Sequence, residues 1–427
     1  MTNPSHASTP TSTRVIFWCL ASSLAGFLFG FDTVVISGAE KTIQQLWGLT
    51  PGAHGFAMSS ALWGTVIGAL FGGFPTDRFG RRKTLLSIGF LYLVSAIWSA
   101  LAQDVTSFII ARSLGGVGIG ISTVASPLYI AEISPPNRRG RLAGLFQFNI
   151  VFGILVAYLS NYLIGNSVNP ENSWRWMLGV EALPAIVYFA CCFTLPESPR
   201  WLISRGSNET EARRIFRLIQ PQASEAEIDA QITAIRSGSS PNPPQKRSAF
   251  STHIRKPLVL AFLIAFFNQL SGINAILYFA PRIFEWTGLG QQAALLQSVG
   301  IGVTNLIFTF VGLTLIDRLG RRTLLILGSL GYIISLGGCA WAFASENYFT
   351  VPYFIFAFIA AHAIGQGAVI WVFISEIFPN RSRAMGQSVG CGTHWIFAAL
   401  LTSYFPKMAE LLSPSLIFGF FCAMMIL

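Results

Sequence analysis

Away from the helix ends, three ionisable side chains lie inside long apolar segments of this sequence: Asp32, Arg112 and Glu181. A charged group in the hydrocarbon core of a membrane is costly, so each is a candidate for ion or proton transfer. A carboxyl group that faces a guanidinium group can exchange its salt bridge for a proton. These residue types therefore indicate either a proton-coupling pair or a buried structural ion pair.

Their positions along the predicted helices place these groups in one layer. Asp32 lies about five residues before the end of an outward-running helix, and Arg112 lies about five residues after the start of an inward-running one. At a rise of about 1.5 Å per residue, both lie roughly 8 Å below the outer surface. Glu181, about seven residues into another inward-running helix, shares this layer. We therefore expect Asp32 and Arg112 to pair.

The second half of the chain has amides in its apolar segments where the first half has charges. An amide donates and accepts hydrogen bonds at once and so matches a hydroxyl group, while aromatic rings cover apolar C–H surfaces of a ligand. Gly272 permits a local distortion that brings Gln269 and Asn274 to one cavity. Amides that only hold helices together are the alternative. The candidates are Asn268, Gln269, Asn274, Asn305 and Gln366, with the aromatic residues Tyr278, Trp371 and Trp395.

Membrane helices must position these groups. Of the 427 residues 52% are hydrophobic and 11% are charged, whereas soluble proteins carry roughly a quarter charged residues. Runs of about 20 apolar residues suit membrane-spanning helices and are far too long for barrel strands. The predicted spans are 15–37, 56–76, 84–103, 107–131, 142–164, 174–195, 257–279, 293–316, 323–345, 352–376 and 387–406, and a twelfth that begins near Ser413 and is cut off at Leu427.

The net charge of +10 is distributed unevenly. Most lysines and arginines lie in alternate loops, and this positive-inside pattern predicts that both termini are cytoplasmic. The positive charge therefore reports topology, and no nucleic-acid partner is expected. Since all six cysteines lie within apolar runs, no disulfide framework is expected either.

The chain contains an internal repeat. The run Asp-Arg-x-Gly-Arg-Arg at 77–82 recurs at 317–322, and Glu-Ile-x-Pro at 132–135 recurs at 376–379, about 240 residues later in both cases. Because six helices separate the copies, the two halves share one orientation. The predicted division is a disordered cytoplasmic tail (1–13), an N-terminal six-helix bundle (14–197), a cytoplasmic linker (198–256) and a C-terminal six-helix bundle (257–427).

The linker contains two predicted amphipathic helices, at 208–220 and 224–236. The second begins with a capping box, Ser224-x-x-Glu227. The stretch 237–248, rich in Ser and Pro, predicts a flexible connection.

Two further motifs complete a series: Pro-Glu-Ser-Pro-Arg at 196–200 and Gln-Leu-Ser-Gly-Ile-Asn at 269–274. With the two Asp-Arg-x-Gly-Arg-Arg loops, they make residues 14–427 resemble the sugar porter family of the major facilitator superfamily. The resemblance implies sugar transport, either facilitative or coupled to protons. Those relatives carry a Pro-Glu-Thr-Lys-Gly-like run after the twelfth helix. Its absence here leads us to expect a natural chain that continues beyond Leu427.

The resemblance also implies residue roles. Asp32 and Arg112 match the coupling pair of proton symporters, whereas facilitative relatives have an amide at the position of Asp32. The positions that match sugar-contacting ones are Gln147, Gln269, Asn274, Asn305 and Trp371.

The sequence departs from the family pattern at three places. Asn268 replaces a glutamine, and its shorter side chain leaves room for a water or a bulkier sugar. His394 stands where many relatives have Gln or Asn, and it either holds the structure or tunes sugar choice and pH response. The tenth helix lacks the prolines that facilitative glucose carriers place before Trp371. Which sugar fits is therefore left open.

Charged residues at the basic helix ends form a predicted cytoplasmic latch. Asp77 can meet the exposed N-terminus of a neighbouring helix, and the arginines can bridge carboxylates such as Glu132 and Glu376. These contacts would hold the inside closed while the outside is open; the alternative is that the basic residues only set topology. The predicted latch comprises Asp77, Arg81, Arg82, Glu132, Arg138, Glu197, Arg200, Asp317, Arg321, Arg322, Glu376 and Arg381.

Together these features predict an all-α polytopic membrane protein that imports a monosaccharide, a hexose or a pentose, with protons across the cell membrane by alternating access. The expected partners are a small neutral sugar, protons and the lipid bilayer, and we expect a monomer. A facilitative uniporter and a sugar-sensing receptor are the alternatives. The sequence has no nucleophile–base pair, metal cluster or phosphate loop, so neither enzymatic activity nor a cofactor is expected.

Overall fold

The computed structural model describes residues 13–136, 138–238, 252–378 and 383–427, and these residues fold into helices joined by short loops. A 3₁₀ turn, Tyr348–Thr350, precedes helix α17, and a π-helical segment, Ala363–Gly367, joins α17 to α18. In chain order the α-helices are α1 Thr13–Leu46, α2 Pro51–Phe71, α3 Gly73–Phe79, α4 Arg81–Leu101, α5 Val105–Ile133, α6 Arg139–Ser167, α7 Pro170–Gly179, α8 Ala182–Cys192, α9 Pro199–Ser204, α10 Glu209–Ile219, α11 Glu225–Gly238, α12 Thr252–Leu270, α13 Ile273–Tyr278, α14 Ala280–Glu285, α15 Gln291–Leu319, α16 Arg321–Ala344, α17 Val351–His362, α18 Ala368–Glu376, α19 Arg383–Leu411 and α20 Pro414–Ile426.

The predicted spans are confirmed as helices. Among the described residues, 10 helical segments are long and apolar enough to cross a membrane. Helix α19 has 29 residues, and α20 is a shorter apolar helix. Some helix ends differ from the prediction. Helix α1, for example, continues to Leu46, beyond the predicted end at residue 37. This difference matters for the site because it extends α1 past Glu40.

Two spans are interrupted where the site lies. The sixth span consists of α7 and α8, which meet at Val180 and Glu181. Pro184 has no N–H to donate to the Val180 carbonyl, so the regular bonding pattern cannot continue there. The seventh span consists of α12 and α13, separated by Ser271 and Gly272.

Gly272 is required at its position for two reasons. Its φ of 85° lies in the left-handed region, which residues other than glycine rarely adopt. A Cβ at this position would also lie 2.5 Å from the ring of Phe421. The predicted distortion of the helix at Gly272 is therefore confirmed.

The two halves pack through pairs of long helices. In the first half α1 packs on α6 and α2 on α5, while in the second half α12 packs on α19 and α16 on α20. Between the halves α2 packs on α19 and α6 on α15. The α2–α19 contact is close because Gly55 has no side chain, and a Cβ there would lie 1.8 Å from the Ser403 carbonyl oxygen. The halves therefore meet along two long seams, and the polar residues described below lie beside them.

The linker confirms both predicted amphipathic helices, as α10 and α11. The capping box is also confirmed, since the Ser224 N–H donates to Glu227 at 2.7 Å and the Glu227 N–H donates to the Ser224 hydroxyl at 3.3 Å. Hydrogen bonds from Arg213 and Arg236 lower the pKa of Glu209, so ion pairs join the two linker helices. The short helix α9 was not predicted. Most of the predicted tail and of the predicted flexible connection lies outside the described residues.

Candidate functional site

Asp32 on α1 and Arg112 on α5 form an ion pair inside the first half. Their side chains are 1% and 2% exposed. One guanidinium nitrogen donates to the Asp32 carboxylate, and Nη2 donates to the main-chain oxygen of Asp32 at 3.0 Å. The pairing expected from helix depth is therefore confirmed, whereas the coupling role stays a prediction.

Glu181 lies beside this pair at the break between α7 and α8. It is 2% exposed and close enough to Asp32 and Arg112 for their charges to interact. Among the described residues, Oδ2 of Asp32, Oε1 of Glu181 and Nε of Arg112 have no hydrogen-bond partner. Two carboxylates and one guanidinium leave one excess negative charge, which is costly to bury. A single bound proton makes this cluster neutral.

The second half contains a chain of buried amides. Gln366 accepts a hydrogen bond from Asn268 at 2.9 Å and donates to Ser329 at 3.2 Å. Gln269 donates to Asn268 at 2.8 Å and accepts from Asn274 at 2.6 Å. The break at Gly272 allows that last bond, because it turns the two helix segments so that residues five apart in sequence can meet. The structure thus brings together the three amides predicted on the seventh span.

Aromatic rings border the amide chain. The His394 ring lies 3.0 Å from Nε2 of Gln269, and its centroid is 4.8 Å from that of Trp371 and 4.9 Å from that of Trp395. Trp395 also contacts Phe29 of the first half, at 5.5 Å between ring centroids. The aromatic border therefore extends across the seam between the halves.

Two predicted sugar-contacting amides lie apart from this chain. Asn305 on α15 is 6% exposed and accepts a long hydrogen bond, 3.5 Å, from Thr309. Gln147 on α6 is half-buried, and no described residue hydrogen-bonds to its side chain. Neither is bonded to the chain from Ser329 to Asn274. Their amides are therefore available to a ligand without breaking that chain.

Helix α13 joins the amides to the charged cluster. Asn274 lies near its start, and Tyr278 at its end lies within electrostatic reach of Arg112 and Asp32. The hydroxyl of Tyr158, in the first half, donates to the Leu277 main-chain oxygen at 2.7 Å. Helix α13 therefore lies between the amide chain and the charged cluster.

A second charged cluster, at the end opposite the basic loops, was missed. Glu40 on α1 accepts from Nε of Arg282 at 2.9 Å and Nη2 at 2.7 Å, and from His54 at 2.8 Å. Glu40 and His54 are 2% and 0% exposed. The first span was predicted to end at residue 37, which placed Glu40 in a loop. The available signal was that Lys41 and Arg282 lie outside the alternating pattern of basic loops.

This cluster joins the two halves. Arg282 belongs to α14 of the second half and also donates to Gln44 of α1 at 2.6 Å. Nearby, Lys41 pairs with Glu285 at 2.6 Å, and Ser59 lies 2.5 Å from Ser403. The end opposite the basic loops is therefore closed by contacts between the halves.

At the basic end, Arg81 makes paired hydrogen bonds to Glu132, from Nε at 2.9 Å and Nη2 at 3.0 Å. The side chain of Asp77 is 70% exposed and pairs with Arg81 at 3.2 Å, so its place at the N-terminus of a neighbouring helix stays a prediction. At the N-terminus of α4 a different carboxylate binds. Glu197 takes that place, accepting from the N–H groups of Arg81 at 2.8 Å and Arg82 at 3.2 Å at the start of α4. Burial raises the pKa of Glu197, and these donors only partly offset that effect.

The second half repeats this arrangement in part. Arg321 pairs with Glu376 at 3.2 Å. The side chain of Asp317 and the whole of Arg381 lie outside the described part of the chain. Both observed pairs, at Arg81 and at Arg321, stay within one half, so a latch between the halves remains a prediction.

The remaining predicted latch arginines within the described residues are Arg82, Arg138, Arg200 and Arg322. Arg82 donates to the Phe193 main-chain oxygen at 2.8 Å. Arg138 lies just before α6, and Arg322 is exposed at the start of α16. Arg200 is exposed on α9, at the start of the linker.

A helical membrane fold of two like-oriented halves with a buried polar site defines a secondary transporter of the major facilitator type. The family described as sugar (and other) transporter matches residues 18–427. The chain is 36% identical over 424 residues to the arabinose-proton symporter of Bacillus subtilis (strain 168), covering 97% of this chain and 90% of the relative. It is 34% identical over 421 residues to the D-xylose-proton symporter of Escherichia coli (strain K12), covering 91% and 84%. The protein belongs to this sugar transporter family.

Solved structures agree with this assignment. A partially occluded inward-open conformation of the xylose transporter XylE from E. coli matches with a TM-score of 0.85 and 31% identity, over 97% of this chain and 96% of that chain. The same symporter bound to 6-bromo-6-deoxy-D-glucose matches with a TM-score of 0.80 and 30% identity, over 96% and 94%. The major facilitator fold is thereby confirmed.

Proposed function

We propose that this protein imports a monosaccharide together with a proton by alternating access. The observation that carries the proposal is the buried Asp32–Arg112 pair with Glu181 beside it, because a pure facilitator has no use for a titratable cluster that is costly to bury. The names of the relatives, an arabinose-proton and a D-xylose-proton symporter, support the same activity.

The sugar site lies between the halves, mainly on the second. Each amide in the chain from Gln366 to Asn274 bonds to another polar side chain, and a hydroxyl that donates and accepts can replace such a bond. Trp371 and Trp395 supply ring faces for the C–H side of the sugar. Gln147 and Asn305 add two amides from other helices. We propose a pentose or a hexose as the substrate.

The proton acts on the charged cluster. When Asp32 is ionised it holds Arg112, and when it is protonated that attraction is lost and α1 can shift against α5. Proton entry thereby shifts the contact between α1 and α5 from one of its two arrangements to the other. One proton moving across 100 mV supplies about 2.3 kcal/mol, and each tenfold sugar gradient costs about 1.4 kcal/mol. Accumulation of about 50-fold is therefore feasible.

The orientation of the protein in the membrane, its conformational state and its oligomeric state belong to the same proposal. The basic loops and both ends of the chain face the cytoplasm, by the positive-inside rule. The cluster around Glu40 then closes the outer side, so the sugar site faces inward. One chain supplies every proposed site residue, and we propose that it works as a monomer in the cell membrane.

Uptake into proteoliposomes tests the proposal. Labelled xylose, arabinose, glucose and a polyol are offered with and without an inward proton gradient. Symport predicts that at least one sugar accumulates above its outside concentration, and that a protonophore abolishes this. Uptake that only equilibrates, at a rate independent of outside pH, identifies a uniporter and contradicts proton coupling. A sugar-sensing receptor would show no uptake at all.

A further inference from the structure

A cavity of about 660 Å³ lies at the cytoplasmic end, between the first half and the linker, well away from the sugar site. Its wall includes Arg81 and Glu132 of the first half and residues of α9, α10 and α11. Phe216 and Ile219 form a buried apolar side, while Ser204 lies exposed at the rim. The transport mechanism leaves this cavity unused.

The cavity carries uncompensated positive charge. Its charged lining residues are Arg81, Arg139, Arg200 and Glu132, and both oxygens of Glu132 bind Arg81. No described residue forms an ion pair or hydrogen bond with the side chains of Arg139 and Arg200, and Nε of Arg139 is buried without a partner. Two guanidinium groups that no described carboxylate pairs with therefore line a partly enclosed space. Paired guanidinium donors are the groups that best bind phosphate oxygens.

A helix terminus adds to this charge. Helix α6 begins at Arg139 without a side-chain cap on its first N–H groups. The N-terminus of a 29-residue helix carries positive partial charge, which favours an anion beside it. This feature and the two guanidinium groups favour the same kind of ligand.

Polar groups for the rest of a ligand lie deeper in the linker. Nε2 of Gln231 donates to Oε1 of Gln220 at 2.9 Å. That bond leaves the amide N–H groups of Gln220 and the amide oxygen of Gln231 without a partner among the described residues. One free donor and one free acceptor side by side suit hydroxyl groups.

We propose that this cavity binds a phosphate monoester of a small polyol, of the sugar phosphate class, from the cytoplasm. Arg139 and Arg200 bind the phosphate, and Gln220 and Gln231 bind hydroxyls. Because the cavity is bounded by both the first half and the linker, an occupied site holds the linker against the basic end. Occupancy therefore acts on the cytoplasmic surface that must move when the inside opens.

Binding to the purified full-length chain tests this site. Calorimetry with glucose 6-phosphate should show saturable binding that excess xylose does not displace, with inorganic phosphate binding more weakly. The double variant R139Q/R200Q should weaken glucose 6-phosphate binding by at least about tenfold, because both charge-assisted contacts are lost. Ser204→Glu, a change at the exposed rim, should weaken it as well. Arg214→Gln is the matched control, since Arg214 is exposed on α10 and pairs with Glu211 outside the cavity.

Three results would overturn the proposal. One is no saturable binding of glucose 6-phosphate at millimolar concentration. Another is equal affinity in R139Q/R200Q, Ser204→Glu and Arg214→Gln. The third comes from nanodiscs: if phosphatidylglycerol binds in a way that needs Arg139 and Arg200 and excludes glucose 6-phosphate, the occupant is a lipid headgroup. None of these measurements involves transport, so they leave the symport proposal untouched.

Discussion

The two halves of this transporter share a fold and differ in buried chemistry. The first half buries Asp32, Arg112 and Glu181, whereas the second buries a chain of amides from Gln366 to Asn274. Ionisable groups can hold a proton, and amides can bind the hydroxyls of a neutral polyol. The difference teaches that two copies of one scaffold can carry different buried chemistry.

If the proton and the sugar bind in different halves, as proposed, their coupling must cross the contact between the halves. Helix α13 carries Asn274 at one end and Tyr278 at the other, and Tyr278 lies within electrostatic reach of Asp32. Trp395 and Phe29 meet across the same seam. If proton coupling belongs to the first half and sugar binding mainly to the second, a substitution in one half should remove one of these functions and spare the other.

Asp32→Asn should have the largest effect. It mimics the protonated carboxyl permanently, so proton-driven sugar accumulation should be abolished while sugar exchange down its own gradient remains largely intact. Uptake and counterflow in proteoliposomes measure the two activities separately. Asp104→Asn is the matched control, because Asp104 is an exposed helix cap that accepts from the Ser107 N–H, and this change should leave both activities as they are.

Glu181→Gln, measured in the same way, shows which of the two carboxyl groups carries the proton. If Asp32→Asn vesicles still accumulate sugar and Glu181→Gln vesicles do not, the proton travels through Glu181. If both variants still accumulate sugar under a proton gradient, the charged cluster is structural and the proton is coupled through other residues.

Gln269→Ala and Asn274→Ala should come next in size. Each removes one hydrogen bond to the sugar and leaves a partner unpaired, at a cost of roughly 1–3 kcal/mol, or about 5- to 150-fold in affinity. Calorimetry on the purified variants measures this. Asn161→Ala is the control from the first half, since the Asn161 side chain donates to the Val35 main-chain oxygen and only joins two helices. Equal losses of affinity in all three variants would mean that the amides of both halves only hold helices together.

Glu40→Gln should act on the joint between the halves. It removes the charge that Arg282 and His54 bind, so the outward-open population should rise by at least about tenfold. Labelling of Ser59→Cys from the outer side measures the change, because Ser59 is buried between the halves when that side is closed. Lys41→Gln is the matched control: the neighbouring pair is half exposed and should matter little. Unchanged labelling in Glu40→Gln would show that the helix packing alone closes the outer side.

The sequence was most informative about features that depend on helix geometry alone. Depth along helices of opposite direction predicted the Asp32–Arg112 pair, and Gly272 predicted the break that lets Gln269 meet Asn274. Both arguments use only the rise per residue and the conformational range of glycine. The capping box of α11 was equally local and was found for the same reason.

The sequence was least informative where distant segments meet. Glu197, rather than Asp77, binds the start of α4, and that choice depends on how two segments more than a hundred residues apart approach each other. The Glu40 cluster was missed because an amphipathic extension of α1 beyond the apolar run carries no hydropathy signal. The contact of Tyr332 with His362, at 2.5 Å, was missed because neither residue lies in a motif.

The smallest expected effect is on stability, and it concerns two ion pairs that occupy equivalent positions in the internal repeat. The Arg81–Glu132 pair is held by two hydrogen bonds, and its side chains are 10% and 8% exposed. The side chains of the Arg321–Glu376 pair are 34% and 50% exposed. Arg81→Ala should therefore lower stability by about 1–3 kcal/mol, and Arg321→Ala by less than about 1 kcal/mol, because solvent screens the exposed pair. Thermal unfolding of the purified variants in one detergent measures the difference. Equal shifts in the two variants would mean that burial does not distinguish the two copies of the motif.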